Sequence, residues 1–410
     1  MSVGVTGRSS GDAAATVARE SYGRLVAYLA ARSHDLAAAE DALADAFAAA
    51  LEHWPRDGVP DAPEAWLLTT ARRRLHDRWR HARVEADAEP TLSIVFDELA
   101  DAPAEARFPD ERLKLMFVCA HPTIDRAARP ALMLQAVLGL DAARIASAFV
   151  VAPATLSQRL VRAKTKIRAA AIAYEVPGED EWDARLGDVL DAIYAAYGTG
   201  WDDVAGTDPA KSGLAVEALA LAAMLARLVP HAAEAWGLVA LLAFCQSRAA
   251  ARRDARGDYV PLHAQDASLW DRALVAVAET ALAKAASLAA PGPYQLEAAI
   301  QSAHSQRRLG ADVPPAAIVG LYDALVALQP TVGALVSRAC AVGEADGAAA
   351  GLAALAAIPA RDVETYQPYW AALAHLARGS GDAVTAERAR TRAVGLSSDA
   401  AVRRFLLAAG

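Results

Sequence analysis

The stretch Asp141–Arg168, DAARIASAFVVAPATLSQRLVRAKTKIR, decides how the chain is read. It parses as two short helices joined by a tight turn. The first runs from about Asp141 to Phe149, with Ile145, Ala146 and Phe149 on one side. Val150 to Ala152 form the turn. Pro153 suits the first position of a second helix, where its missing N–H has no partner to lose. In that helix Leu156, Leu160, Ala163 and Ile167 recur at helical spacing and predict one buried stripe. The other faces carry Thr155, Ser157, Gln158, Arg159, Arg162, Lys164, Lys166 and Arg168. With Arg144 there are six bases against Asp141 alone, a local charge of +5 in a chain of net charge −8. A basic helix presented by a helix-turn-helix is the geometry that enters a DNA major groove. The competing reading is a pair of ordinary amphipathic helices with a solvated basic face.

Working outward, the 410 residues have room for two to four domains. Hydrophobic residues make up 55% of the chain, much of it alanine, and aromatics only 6%. That mix favours small-residue helix packing, so an all-α fold is expected. No run of 18 apolar residues is free of charge, so no membrane span is expected. The N-terminus lacks an apolar core behind a basic start and reads as a short lead-in rather than a signal peptide. Cys119, Cys245 and Cys340 stand far apart in apolar contexts, as free thiols in a reducing cytoplasm would, and offer no metal spacing. Because the chain as a whole is acidic, any nucleic-acid surface must be local.

Residues 12–53 read as two helices. The second, Leu36 to His53, turns Ala39, Leu43, Ala46, Phe47 and Leu51 inward and carries Glu40, Asp41 and Asp45 outside, after Asp35 or Ser33 as cap. Between Asp35 and Glu52 there are five acids and no Lys or Arg. Such a face is either simply solvated or the site of a basic partner protein. The turn-rich loop from Trp54 to Pro63 leads into a helix reaching about Arg83. It holds Trp66, Thr69, Thr70, Arg72, Arg73, Arg74, Arg78 and Arg80, and from Asp61 to Arg83 the charge is +3. Arginine among Trp and Thr suits an unwound DNA strand, with guanidinium groups on phosphates and rings against bases. The competing reading makes each Trp core. Residues 84–110 hold eight acids and no helical period, so they read as an acidic linker, either disordered or following a basic channel.

After Tyr174-Glu-Val-Pro177 the composition changes to a series of alanine–leucine helices broken by Gly, Pro and Asp. Ten are expected, among them Trp182–Tyr197, Gln265–Ala289, Tyr294–Ser305 and Ala383–Leu396. Consecutive short helix pairs suggest an α-solenoid, the alternative being an irregular bundle. From Tyr369 onward the aromatic start, the turn at Gly379 to Gly381 and Ala386, Ala389 and Ala393 approach a tetratricopeptide pair.

Taken in order, these pieces resemble a bacterial RNA polymerase sigma factor of the extracytoplasmic-function type, in the subgroup with a long tetratricopeptide-like helical extension. Ala39-Glu40-Asp41 with Asp45 and Phe47 looks like the helix that docks on the polymerase clamp. His53-Trp54-Pro55, Asp57-Gly58-Val59-Pro60 and Ala65-Trp66-Leu67-Leu68 through Ala71-Arg72 look like the loop and helix that capture and melt the −10 element. Asp110-Glu111-Arg112-Leu113, Cys119-Ala120-His121-Pro122 and Gln158 through Lys164 are similar to the −35-reading domain. Gly257-Asp258, Gln265-Asp266, Trp270-Asp271 and Gly292 through Leu296 resemble the extension. Ala44 stands where the docking helix often has glutamine, and Val150 replaces a turn glycine. Ala152 and Ala154 replace polar residues at the start of the reading helix.

The resemblance implies domains at 1–83, 110–177 and 178–410, with residues 84–109 as linker. It implies −35 contacts from Arg144, Thr155, Ser157, Gln158, Arg159, Arg162, Lys164 and Lys166. It places −10 contacts on Trp54, Asp57, Trp66, Thr69, Thr70, Arg72, Arg73, Arg74, Arg78 and Arg80. Polymerase binding falls to Asp35, Glu40, Asp41, Asp45 and Phe47. The partners are core RNA polymerase and promoter DNA, with an intramolecular or protein partner for the extension and no membrane. No nucleophile with its base, phosphate loop or metal cluster is legible, so no catalysis and no cofactor are expected. Two other classes stay open: a helix-turn-helix regulator with a helical sensor, and a helical-repeat scaffold.

Overall fold

A computed structural model describes residues 10–86, 110–148, 151–201 and 213–408. The described residues are all-α, with one isolated β-bridge between Arg253 and Tyr259. The turn at Phe149 and Val150 and nearly all of the acidic linker lie outside them. The chain divides into two compact units, Met1–Ala192 and Ile193–Gly410.

The first unit begins with α1 (Ser10–Ser33), α2 (Leu36–Asp57) and α3 (Pro63–Ala86), which pack on one another. The break between α1 and α2 is made by His34 in the left-handed region, φ +52°, and by Asp35, whose carboxylate accepts from the Ala38 N–H at 3.1 Å. Helix α2 runs one turn past the expected end at His53, carrying Pro55 in its last turn, and stops at Gly58 with φ +88°. Its buried residues are Leu36, Ala39, Ala42, Leu43, Ala46, Ala50 and Trp54.

Four shorter helices follow: α4 (Arg112–Cys119), α5 (Arg129–Leu138), α6 (Ala142–Ala148) and α7 (Pro153–Ala169). Helix α5 ends at Gly139 in the left-handed region, φ +66°. The buried residues of α7 are Leu156, Leu160, Ala163 and Ile167, the four the spacing predicts. These helices join the core of the first three, because α1 packs on α4 and α5 while α2 packs on α7. Leu25, Leu29, Met116, Phe117, Leu132 and Met133 are fully buried there. Helix α8 (Glu179–Trp201) runs through the boundary between the units.

In the second unit α9 (Leu214–Leu228), α10 (Ala233–Ser247), α11 (Arg272–Ser287), α12 (Pro293–Arg308), α13 (Pro315–Leu328) and α14 (Val332–Asp346) each pack on near neighbours in sequence. The series continues through α15 (Ala348–Ala356), α16 (Ala360–Val363), α17 (Gln367–Gly379), α18 (Ala383–Leu396) and α19 (Ala400–Ala408). Small side chains set the spacing. A Cβ on Gly237 of α10 would lie 2.7 Å from the backbone nitrogen of Gln295 in α12. The expected helix Gln265–Ala289 is shorter than its apolar pattern suggests. Asp266 caps a 3₁₀ turn and Asp271 caps α11, accepting from the Ala273 and Leu274 N–H groups. Helices α16 and α19 were not anticipated. Helix α19 returns to the loop after α10, where Arg404 pairs with Asp258 and Phe405 meets Tyr259 edge to face at 5.4 Å.

Candidate nucleic-acid interface

Helix α7 starts on Pro153 after an extended Ala152 that offers no side-chain cap, as alanine there must. Thr155, Ser157, Gln158, Arg162 and Lys166 are exposed and Arg159 is half-buried. The Ser157 hydroxyl is turned back onto the Pro153 carbonyl at 2.9 Å. Arg144 on α6 pairs with Asp141 at 3.2 Å. Lys164 departs from the others. It does not face solvent but pairs with Glu40 of α2, each side chain only 14% exposed. One turn further, Arg168 pairs with Asp35 at 3.3 Å.

On α3 the guanidinium groups of Arg73, Arg74 and Arg80 are exposed. Arg72 is half-buried and donates to the Tyr28 hydroxyl, over whose ring it lies at 5.1 Å. Thr69 and Thr70 donate to the carbonyls of Ala65 and Trp66 in their own helix. Asp57 pairs with His53 at 3.6 Å in the exposed last turn of α2.

Trp54 does not lie on the −10 surface expected of it, since the residue is only 3% exposed. It meets Trp66 edge to face at 5.6 Å, with Trp66 half-buried beside it. The cause is local: because α2 continues through Pro55, residue 54 falls four after Ala50 on the buried stripe. In this arrangement its ring faces are packed, so it serves as core.

Four of the five carboxylates from Asp35 to Glu52 are engaged within the chain. Arg78 reaches across from α3 to Asp41 at 3.1 Å and to Asp45 at 2.9 Å. Asp35 and Glu40 take Arg168 and Lys164. Burial pushes the Glu40 carboxyl above its usual range, and the Lys164 ammonium offsets only part of that. Phe47 is half-buried beside them. So the structure brings Arg78, read as a DNA contact, onto the acidic face, and likewise Lys164. The sequence reading missed this engagement. The available signal was charge: a helix with only acids from 35 to 52 and one with only bases from 159 to 168.

A second buried pair went unread. Arg129 pairs with Asp188 and donates to the carbonyls of Ile124 and Pro122, each at 3.1 Å. It ties the start of α5 to α8. Among the described residues no group of three or more His, Cys, Asp or Glu is placed to hold a metal, and the three cysteines are free. No helix among them is long and apolar enough to cross a membrane.

Comparison with known proteins gives these surfaces a context. Residues 18–84, spanning α1 to α3, match Sigma-70 region 2. Residues 185–286 match a family of unknown function (DUF6596). The Rhizobium meliloti (strain 1021) protein "Uncharacterized protein R00370" is 36% identical over 94% of this chain and 92% of its own length. The "ECF RNA polymerase sigma factor SigC" of Mycobacterium tuberculosis is 29% identical over 38% of this chain and 80% of its own. No solved structure matches. The chain therefore belongs to the family of the Rhizobium meliloti protein over nearly its whole length, and within it residues 18–84 are similar to Sigma-70 region 2.

Proposed function

We propose that the chain docks on core RNA polymerase through the acidic face of α2, opens the −10 element with α3 and reads the −35 element with α6 and α7. The observation that carries this reading is the placement of two basic surfaces in one unit. Arg73, Arg74 and Arg80 are exposed on α3, and Thr155, Ser157, Gln158, Arg162 and Lys166 are exposed on α7. Phosphate contacts from these bases give a salt-dependent affinity, while Gln158 and Arg159 reach base edges. The corresponding domains are 1–83 and 110–177, joined by the linker at 84–109.

The chain itself binds and separates strands, and the chemistry belongs to the polymerase, so no cofactor enters. Its place is the cytoplasm, beside the polymerase. The helical extension, 178–410, regulates: a tetratricopeptide-like array takes a protein segment, from this chain or another. Supporting this is the run of neighbour-on-neighbour packing from α9 to α19.

Pure chain, core polymerase and a duplex bearing −35 and −10 hexamers test the proposal, with unpaired thymines detected by permanganate. Opening that requires both chain and polymerase is expected. Duplex binding without polymerase would instead mark a helix-turn-helix regulator. Neither binding nor opening would mark a helical scaffold.

A further inference from the structure

Two opposite charges in the second unit stand near each other and do not pair. Arg248 follows the end of α10 and is half-buried. Its guanidinium donates to the Gln301 side-chain oxygen of α12 at 2.8 Å and to the Cys245 sulfur at 3.5 Å, and it lies 5.6 Å from the Trp201 ring. All three neighbours are neutral, and the Arg248 Nε is buried with no partner. Glu297, one turn before Gln301 on the same face of α12, is half-buried too, and it accepts from the Tyr194 hydroxyl of α8 at 3.0 Å. Among the described residues no carboxylate pairs with Arg248 and no base pairs with Glu297. One helical turn rises about 5–6 Å, so one small molecule can touch both charges. Tyr322 of α13 lies within reach of both: burial raises its hydroxyl, Glu297 adds to the rise and Arg248 opposes it. We propose that Glu297 and Arg248 are the two ends of a binding site for a small zwitterion, a free α-amino acid. Its ammonium meets Glu297 and the Tyr194 hydroxyl; its carboxylate meets Arg248 and the Gln301 amide. The site does not depend on the sigma-factor reading; joined to it, the amino acid is the signal that the extension senses.

Charge explains the choice of ligand. A half-buried guanidinium and a half-buried carboxylate, each without a counter-ion, cost stability, and helices packed through alanine and leucine gain nothing by holding them apart. A zwitterion brings a countercharge to each and adds no net charge of its own. A guanidinium can offer a carboxylate two parallel N–H bonds, and the unpartnered Nε is one half of such a fork. Arg248 also holds the Gln301 oxygen, which leaves the Gln301 amide hydrogens as donors for the same carboxylate. A simple acid leaves Glu297 uncompensated and sets a second negative group near it. A simple amine does the reverse to Arg248. The site therefore selects the pair of charges together and rejects either one alone.

The test is calorimetric titration of the full-length chain, without polymerase or DNA, with each standard α-amino acid in turn. At least one is expected to bind. Its deaminated acid and its decarboxylated amine should each bind about tenfold more weakly or worse, because each forfeits a hydrogen bond between charged groups. Arg248→Met should weaken the amino acid by about tenfold and leave the amine unchanged. Glu297→Gln should weaken the amino acid by a similar factor and leave the acid unchanged. The comparison of amino acid, acid and amine is made on the wild type, so it decides the matter if Arg248→Met fails to fold. Binding by none of the amino acids overturns the site. An acid or amine that binds as tightly as its parent amino acid overturns it as well. Binding that survives both substitutions puts the amino acid elsewhere and equally overturns the assignment. None of these outcomes bears on polymerase docking, which the permanganate assay tests separately.

Discussion

Gly23 of α1 lies so close to Val137 of α5 that a Cβ at residue 23 would sit 1.7 Å from the Val137 carbonyl oxygen. The obstacle is backbone and cannot swing aside. Gly23→Ala must therefore push α1 away from α5 and open the core they share. Overpacking of this kind costs about 1–3 kcal/mol, and a backbone clash belongs at the upper end. Gly187, inside α8, is the contrast: nothing lies within 4 Å of the Cβ it would gain. Gly187→Ala should stabilise by roughly 0.5–1 kcal/mol through helix propensity alone. Urea denaturation of the full chain measures both. Equal stability of the two variants would mean that α1 and α5 do not approach as described.

Trp54 on α2 and Arg73 on α3 separate core from the proposed DNA contact. Trp54 is packed against Trp66, so Trp54→Ala should cost about 3–5 kcal/mol. Arg73 is exposed, and Arg73→Ala should leave stability within about 0.5 kcal/mol while reducing promoter opening. Thermal melting and permanganate reactivity read the two effects apart. A Trp54→Ala chain as stable as wild type would return Trp54 to the DNA surface.

How far these features were legible depended on range. The stripe Leu156, Leu160, Ala163 and Ile167 could be read because a helix writes its buried face into local spacing. The turn residues from Trp54 to Pro63 hide the end of α2: Pro55 lies in its last turn, where a proline gives up only one hydrogen bond, and Gly58 provides the end. Asp271 was hidden inside an alanine-rich run, although an Asp ahead of such a run is itself a cap signal. The contacts of Lys164 with Glu40 and Arg404 with Asp258 join residues 124 and 146 apart, and no periodicity carries that information.

Arg159 and Lys166 should behave differently on DNA. Lys166 is exposed on α7 and suits a phosphate contact. Lys166→Ala should weaken all promoter sequences alike and reduce the salt slope of log K by about 1. Arg159 is half-buried on the same helix. Arg159→Ala should relax base preference at one −35 position by about 1–3 kcal/mol. Competition binding of holoenzyme to single-base promoter variants at several salt concentrations resolves the pair. An unchanged base preference in Arg159→Ala would remove Arg159 from base reading.

Glu297 gives the second unit a pH dependence with a definite sign. Burial raises its carboxyl above the ordinary value of 4.5; the Tyr194 hydroxyl, donating at 3.0 Å, draws it down, and neighbouring Glu234 adds to the rise. A folded-state pKa above the unfolded value means the fold binds that proton more tightly than the open chain does. The stabilisation is fully present below the ordinary carboxylate value and is lost as pH climbs through the raised one. Glu297→Gln keeps an acceptor for Tyr194 and removes the charge that burial disfavours. Amide protection of α12 should therefore fall less between pH 4 and about pH 7 in the variant than in wild type. At neutral pH the variant should be the better protected of the two. Glu234, which accepts from the Tyr294 and Gln295 N–H groups, remains in both chains, so the profiles differ by the Glu297 charge together with its effect on Glu234. A wild-type profile as flat as that of Glu297→Gln would show that Glu297 keeps an ordinary carboxylate in the fold.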